Sequence, residues 1–133
     1  MPKLEVAVLG TPIVKLDGEP IDFPYKKIEA LLYYLVVQKK ASRNKLASLL
    51  WGDMLEGKAK KNLRNALYQL KKTIGDGIIA TPDRFVVTIS DDCDLQLDLD
   101  KFLAREDEKS IELYKGKFLS GFLIKKASAF TDW

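Results

Sequence analysis

Lys58, Lys60, Lys61, Arg64, Lys71 and Lys72 stand within one seventeen-residue stretch, KAKKNLRNALYQLKKTI, that holds six basic side chains and no acidic one. Between them lie Asn65, Tyr68 and Gln69. Lysine and arginine neutralise phosphates, and Arg, Asn and Gln carry the donors and acceptors that read base edges. The apolar members Leu63, Ala66, Leu67, Leu70 and Ile74 recur at the spacing of a single helical stripe. This predicts a helix over 58–74 with one buried face. Lys61, Asn65, Tyr68 and Lys72 then point the opposite way, flanked by Lys58, Arg64 and Gln69. Lys61, Arg64, Asn65, Tyr68 and Gln69 are the candidate base-reading residues. Arg64 and Asn65 are preferred among them, since bidentate contacts to guanine and adenine suit their side chains. Lys58, Lys60, Lys71 and Lys72 are candidate phosphate contacts. The plainer alternative for the whole face is solvated charge.

Other chemistries are poorly supplied. The chain has no histidine, so Ser-His, Cys-His and metal-His arrangements cannot be built, and its single cysteine, Cys93, has no internal disulfide partner. Asp91, Asp92, Asp94, Asp98 and Asp100 lack the order and closing glutamate of a calcium loop, and helix capping or solvated charge explains them better. We expect no enzyme activity, no metal and no cofactor. No apolar run approaches the length of roughly 18 residues that a membrane span requires, and the start MPKLEVAVLG lacks the form of a secretory signal. The expected location is the cytoplasm, with no membrane partner. The net charge of +3 is unevenly spread: residues 25–74 hold twelve Lys/Arg against three Asp/Glu, and residues 75–109 hold four against ten. A basic half beside an acidic one suggests a polyanion-facing surface whose opposite side turns away.

The elements that must position the basic helix can be read around it. Residues 3–9, within KLEVAVLG, and PIVKL (12–16) are β-rich, and Asp17-Gly18 turns into a third short strand near Pro20-Ile21-Asp22-Phe23. A small antiparallel sheet therefore opens the chain. After Pro24, Ile28, Leu31, Leu32, Leu35 and Val36 form a helical stripe within residues 25–40. Ser42 is a good N-cap for RNKLASLLW, which Gly52 and Asp53 end. Ser42, Arg43 and Lys45 begin this helix, where amides and dipole favour a phosphate, although Ser42 also serves as a cap. Trp51 at its end is either a packing residue or a phosphate donor through its indole N–H. The basic helix stops at Gly75, and IIAT and FVVTI, separated by Pro82, Asp83 and Arg84, give a hairpin signal. Thr81 and Arg84 are the candidate wing contacts, Arg84 at or beside a minor groove.

Sheet, three helices and hairpin in this order specify an α+β winged helix-turn-helix with the hairpin as its C-terminal wing. The composition changes after Ser90, to an acidic and then a mixed helical pattern in which Asp98 can cap a helix through Leu103. The expected organisation is a winged-helix DNA-binding domain at 1–90 and, at 91–133, the truncated start of an all-helical domain of a longer protein.

LEVAVLGTPIVKLDG, KKIEALLYYLVVQKKASRNKLASLLWGD, AKKNLRNALYQLKKTIGD and finally DLDLDKFL with ELYKGKFLSGF are similar, nearly end to end, to the N-terminal half of SARP-type (Streptomyces antibiotic regulatory protein) transcriptional activators. In that family an OmpR-like winged helix precedes a helical bacterial transcriptional activator domain. The resemblance implies binding to double-stranded promoter DNA at direct repeats, with copies side by side as a dimer on DNA, and recruitment of RNA polymerase. Asp53, Met54, Leu55 and Glu56, in the loop before the basic helix, form the implied polymerase-facing patch. Two departures stand out: lysine occupies 60, 61, 71 and 72 where the family is richer in arginine, and the wing turn Pro-Asp-Arg lacks the family's glycines. Lysine has no planar fork, which shifts these positions from base to phosphate contact. The alternative function is a winged-helix protein-interaction or scaffold module whose basic face meets an acidic partner.

Overall fold

The computed structural model describes residues 3–8, 12–75 and 77–98. The chain begins with β1 (Lys3–Ala7), β2 (Ile13–Leu16) and β3 (Glu19–Pro20). Alternation sets their faces: Leu4 and Val6 of β1 and Val14 of β2 are buried, while their neighbours are at least partly solvated. β1 and β2 pair antiparallel, Leu4 opposite Leu16 and Val6 opposite Val14, and β3 adds two residues to β2. The tight turn between β2 and β3 places both Asp17 and Gly18 at positive φ, and Asp17 Oδ1 accepts the amide of Lys3.

Helix α1 (Lys26–Gln38) is buried from Leu31 through Val36 as well as at Ile28 and Ala30. A helix apolar nearly all round must be surrounded, and α1 packs against α2, α3 and strands of both sheets. Tyr33 brings its hydroxyl inside by donating it to the Glu29 carboxylate one turn away. Burial, and then that carboxylate, push the phenol well above its ordinary range. α1 stops where Lys39 turns left-handed, and the chain enters β4 (Lys40–Ser42).

α2 (Arg43–Trp51) starts as expected, with Ser42 Oγ accepting the amide of Lys45 at 3.0 Å. Ser42→Ala is expected to cost about 1 kcal/mol. A fall of about 4–8 °C in melting temperature by circular dichroism would register it, and an unchanged melt would deny the cap any role. A Cβ at Gly52 would lie 2.6 Å from the carbonyl oxygen of Ser48, so the corner after α2 needs a glycine for space. Helix α3 (Glu56–Ile74) begins two residues earlier than the basic pattern suggested. Glu56 and the pair Lys71 and Lys72 sit at the ends whose dipole each complements. Ala59, Leu63, Ala66, Leu67, Leu70 and Ile74 are its buried stripe.

Three departures from the sequence reading concern strands. β4 was not anticipated; it pairs antiparallel with β6 (Val86–Ile89), which also holds β5 (Ile79–Ala80), so the wing is the outer part of a three-stranded sheet and not a bare hairpin. The third N-terminal strand covers Glu19–Pro20 and not residues 20–23. β7 (Asp94–Leu97), placed by composition in the second unit, runs parallel to β1 with Lys3 opposite Asp94 and Val6 opposite Leu97. The first sheet is therefore four-stranded, ordered β3-β2-β1-β7, and mixed where an antiparallel sheet was expected. Asp98 accepts the amide of Val8 at 2.9 Å, and the residues it is expected to cap lie outside the described ones. The helices expected beyond it, at 99–133, lie outside the described residues.

Cys93 is buried at the entry to β7, and burial, followed by the nearby Asp94, pushes its thiol up despite an opposing backbone hydrogen bond near Leu4. With the folded thiol raised, stability is unaffected below the unfolded thiol's pKa of roughly 8.5 and falls as pH rises from there through the folded value. At pH 8 the folded protein should react with a thiol reagent far more slowly than the urea-unfolded chain. Equal rates would place Cys93 at the surface.

Candidate nucleic-acid interface

α2, the corner at 52–55 and α3 form the helix-turn-helix, closed by the Met54 amide donating to the Trp51 carbonyl at 3.0 Å. Opposite the buried stripe of α3, Lys58, Lys61, Asn65, Tyr68 and Lys72 are exposed in one row at alternating three- and four-residue steps. Tyr68 is 64% exposed in the middle of this row. Arg64 is exposed on the flank nearer the wing, while Gln69 and Lys71 are half-buried. The row and its flanks carry no acid from Gly57 to Ile74.

The other candidates divide. Ser42 and Lys45 are exposed and Arg43 half-buried at the start of α2. Lys60 forms a 3.0 Å ion pair with Glu56 one turn earlier, a solvated pair worth little but one that any phosphate must displace. Trp51 is corrected: it is buried in the core, with the Lys27 ammonium 5.4 Å from its ring centre, so it packs and does not face a phosphate. In the corner, Leu55 is 84% exposed and Asp53 and Glu56 are exposed. Met54 departs from the patch; it packs against the core, and its sulfur accepts Asn62 Nδ2 at 3.1 Å.

In the wing, Asp83 Oδ1 accepts the amides of Phe85 and Val86 at 2.7 and 3.0 Å, which fixes a turn without glycine. Arg84 is exposed and Thr81 half-buried. The Arg43 amide donates to the Phe85 carbonyl at 2.8 Å, tying the wing to the start of α2. Between wing, α2 and α3 lies a concavity of about 490 Å³ into which Arg43, Arg64 and Arg84 converge. Phe85, Leu63 and Asn44 also line it, and none of the three was a sequence candidate. As the first residue of FVVTI, Phe85 would by strand alternation face inward with Val87, but β6 begins only at Val86 and Phe85 is exposed.

Among the described residues, no three His, Cys, Asp or Glu side chains come together as a metal site, and no helix is long and apolar enough to cross a membrane.

Among the described residues, three helices and two sheets, with a helix-turn-helix and a wing, define an α+β winged-helix-like fold. The same fold is found in a solved structure titled Mycobacterium tuberculosis EmbR in complex with low affinity phosphopeptide, at a TM-score of 0.58 and 22% identity over 78% of this chain. The chain spans 29% of the length of that one. No family model matches the sequence, and no curated protein does.

Proposed function

We propose that this chain is the DNA-binding part of a SARP-type transcription regulator, a cytoplasmic binding protein with no enzyme activity and no cofactor. The observation that carries the proposal is the solvent-facing row Lys58, Lys61, Asn65, Tyr68 and Lys72 on a helix otherwise anchored in the core, with a wing beside it. α3 has the length and exposed chemistry to lie in a major groove. Asn65, Tyr68 and Gln69 face bases there, while Lys58, Lys61 and Lys72, with Lys45 and Lys71, face phosphates. With about five phosphates neutralised, log affinity should fall against log salt with a slope near −4 to −5.

Selection of bound duplexes from a random pool at about 150 mM salt tests this, because purely electrostatic binding is suppressed there. Enrichment of a direct repeat spaced by about one helical turn is expected, with two copies side by side. Failure to enrich any sequence would overturn sequence-specific binding and leave the basic face to an acidic protein partner.

The exposed Leu55, flanked by Asp53 and Glu56 at the corner before α3, supports a contact with RNA polymerase. Leu55→Asp in the full regulator is expected to reduce promoter activation at least about tenfold, the worth of one buried leucine side chain, while leaving DNA affinity unchanged. Undiminished activation would remove this loop from the mechanism.

A further inference from the structure

The concavity between α2, α3 and the wing has a chemistry that the exposed row of α3 lacks. Its charged lining is basic. Arg43, Arg64 and Arg84 reach it from three separate elements, and among the described residues no carboxylate lines it. Lys60 is also at its edge but is engaged by Glu56. Arg43 Nε is buried and has no hydrogen-bond partner among the described residues. A buried guanidinium N–H left unmade is costly, and Arg43 also lines the concavity, where its charge draws an anion. The end of α2 does not itself provide the site: its Arg43 amide is given to Phe85 and its Lys45 amide to Ser42. The anion is left to the side chains.

The floor is apolar, formed by Leu63 and by the ring of Phe85. Phe85 is 66% exposed, yet its backbone is held on both sides, by Asp83 Oδ1 at its amide and by the Arg43 amide at its carbonyl. Its exposed ring lies beside the three guanidinium groups and offers an apolar surface to whatever carries the anion. Beside a bound phosphate, a duplex offers one such surface that does not depend on sequence: the face of the deoxyribose joined to it.

We propose that this concavity seats one nucleotide of the DNA backbone, its phosphate among Arg43, Arg64 and Arg84 and its deoxyribose against Phe85. The inference rests on the DNA-binding reading above. It assigns Arg64 to the backbone and not to a base edge, and it makes the wing a clamp that fixes α3 in the groove without reading sequence. A phenyl ring makes no hydrogen bond, so the seat favours deoxyribose over a ribose whose 2′-hydroxyl would be desolvated there.

Titration of the whole chain against several unrelated duplexes, over a range of salt, tests the seat. Phe85→Ala should weaken every duplex by about tenfold with the salt slope unchanged, and Phe85→Tyr should restore most of the affinity. Arg64→Ala and Arg84→Ala should each flatten the slope by about 0.9, equally for all duplexes. A sequence-dependent loss in Phe85→Ala or Arg64→Ala would show a base contact and overturn the seat, as would full affinity in Phe85→Ala. These outcomes leave the DNA-binding reading intact. Absence of duplex binding by the unaltered chain would overturn both.

Discussion

Reversing two charges on the exposed row, Lys61→Glu with Lys72→Glu, is expected to lower DNA affinity on the order of 100-fold at about 150 mM salt. Both side chains are exposed, eleven residues apart on one side of α3, so each meets a different stretch of duplex. Each substitution removes a counterion-releasing contact and brings a carboxylate toward a phosphate. Fluorescence anisotropy with a labelled duplex would measure the loss, and the slope against salt should flatten by about 1.8 from the two lost contacts. The fold should tolerate the change. Surface substitutions lie within about 0.5 kcal/mol, and Lys72→Glu adds a few tenths more by placing a negative charge in the last turn of α3. Undiminished affinity in the folded double variant would remove this face from DNA contact.

Truncation of the opposite face should act on the fold. Leu70 is fully buried on α3, and Leu70→Ala is expected to cost about 2–5 kcal/mol through lost burial and the cavity left behind. A domain of this size has only about 5–15 kcal/mol in hand, so its melting temperature should fall by about 10–30 °C. Tyr68→Ala, two residues away but on the solvent side, should stay within about 0.5 kcal/mol while weakening DNA binding. The pair separates packing from recognition on one helix. A silent Leu70→Ala or a destabilised Tyr68→Ala would mean that the faces of α3 are exchanged.

The basic helix shows how far sequence carries. Its stripe of Leu63, Ala66, Leu67, Leu70 and Ile74 is buried, and the charged side follows by rotation alone. Its start was misjudged because the basic run begins at Lys58, whereas Glu56 and Gly57 continue the helix without continuing the charge pattern. Trp51 was ambiguous because an indole at a helix corner can face either way. The packing of α1 decides it, through the Lys27 ammonium over the ring and the core beneath.

What the sequence by itself determined is therefore what its local periodicity encodes: three helices, their buried stripes, the Ser42 cap, and the residue types available for phosphate and base contact. These depend on neighbours within a turn or two of the chain. Tertiary structure alone decided the pairing of β1 with β7 some ninety residues later, the recruitment of β4 to the wing, and the meeting of Arg43, Arg64 and Arg84 around Phe85. Short strands such as Lys40–Ser42 and Asp94–Leu97 have too few residues to show a period, and what stabilises them is hydrogen bonding to partners distant in sequence. The concavity likewise belongs to no single segment. It exists because the Arg43 amide holds the wing against α2 while the buried stripe of α3 holds Arg64 beside them.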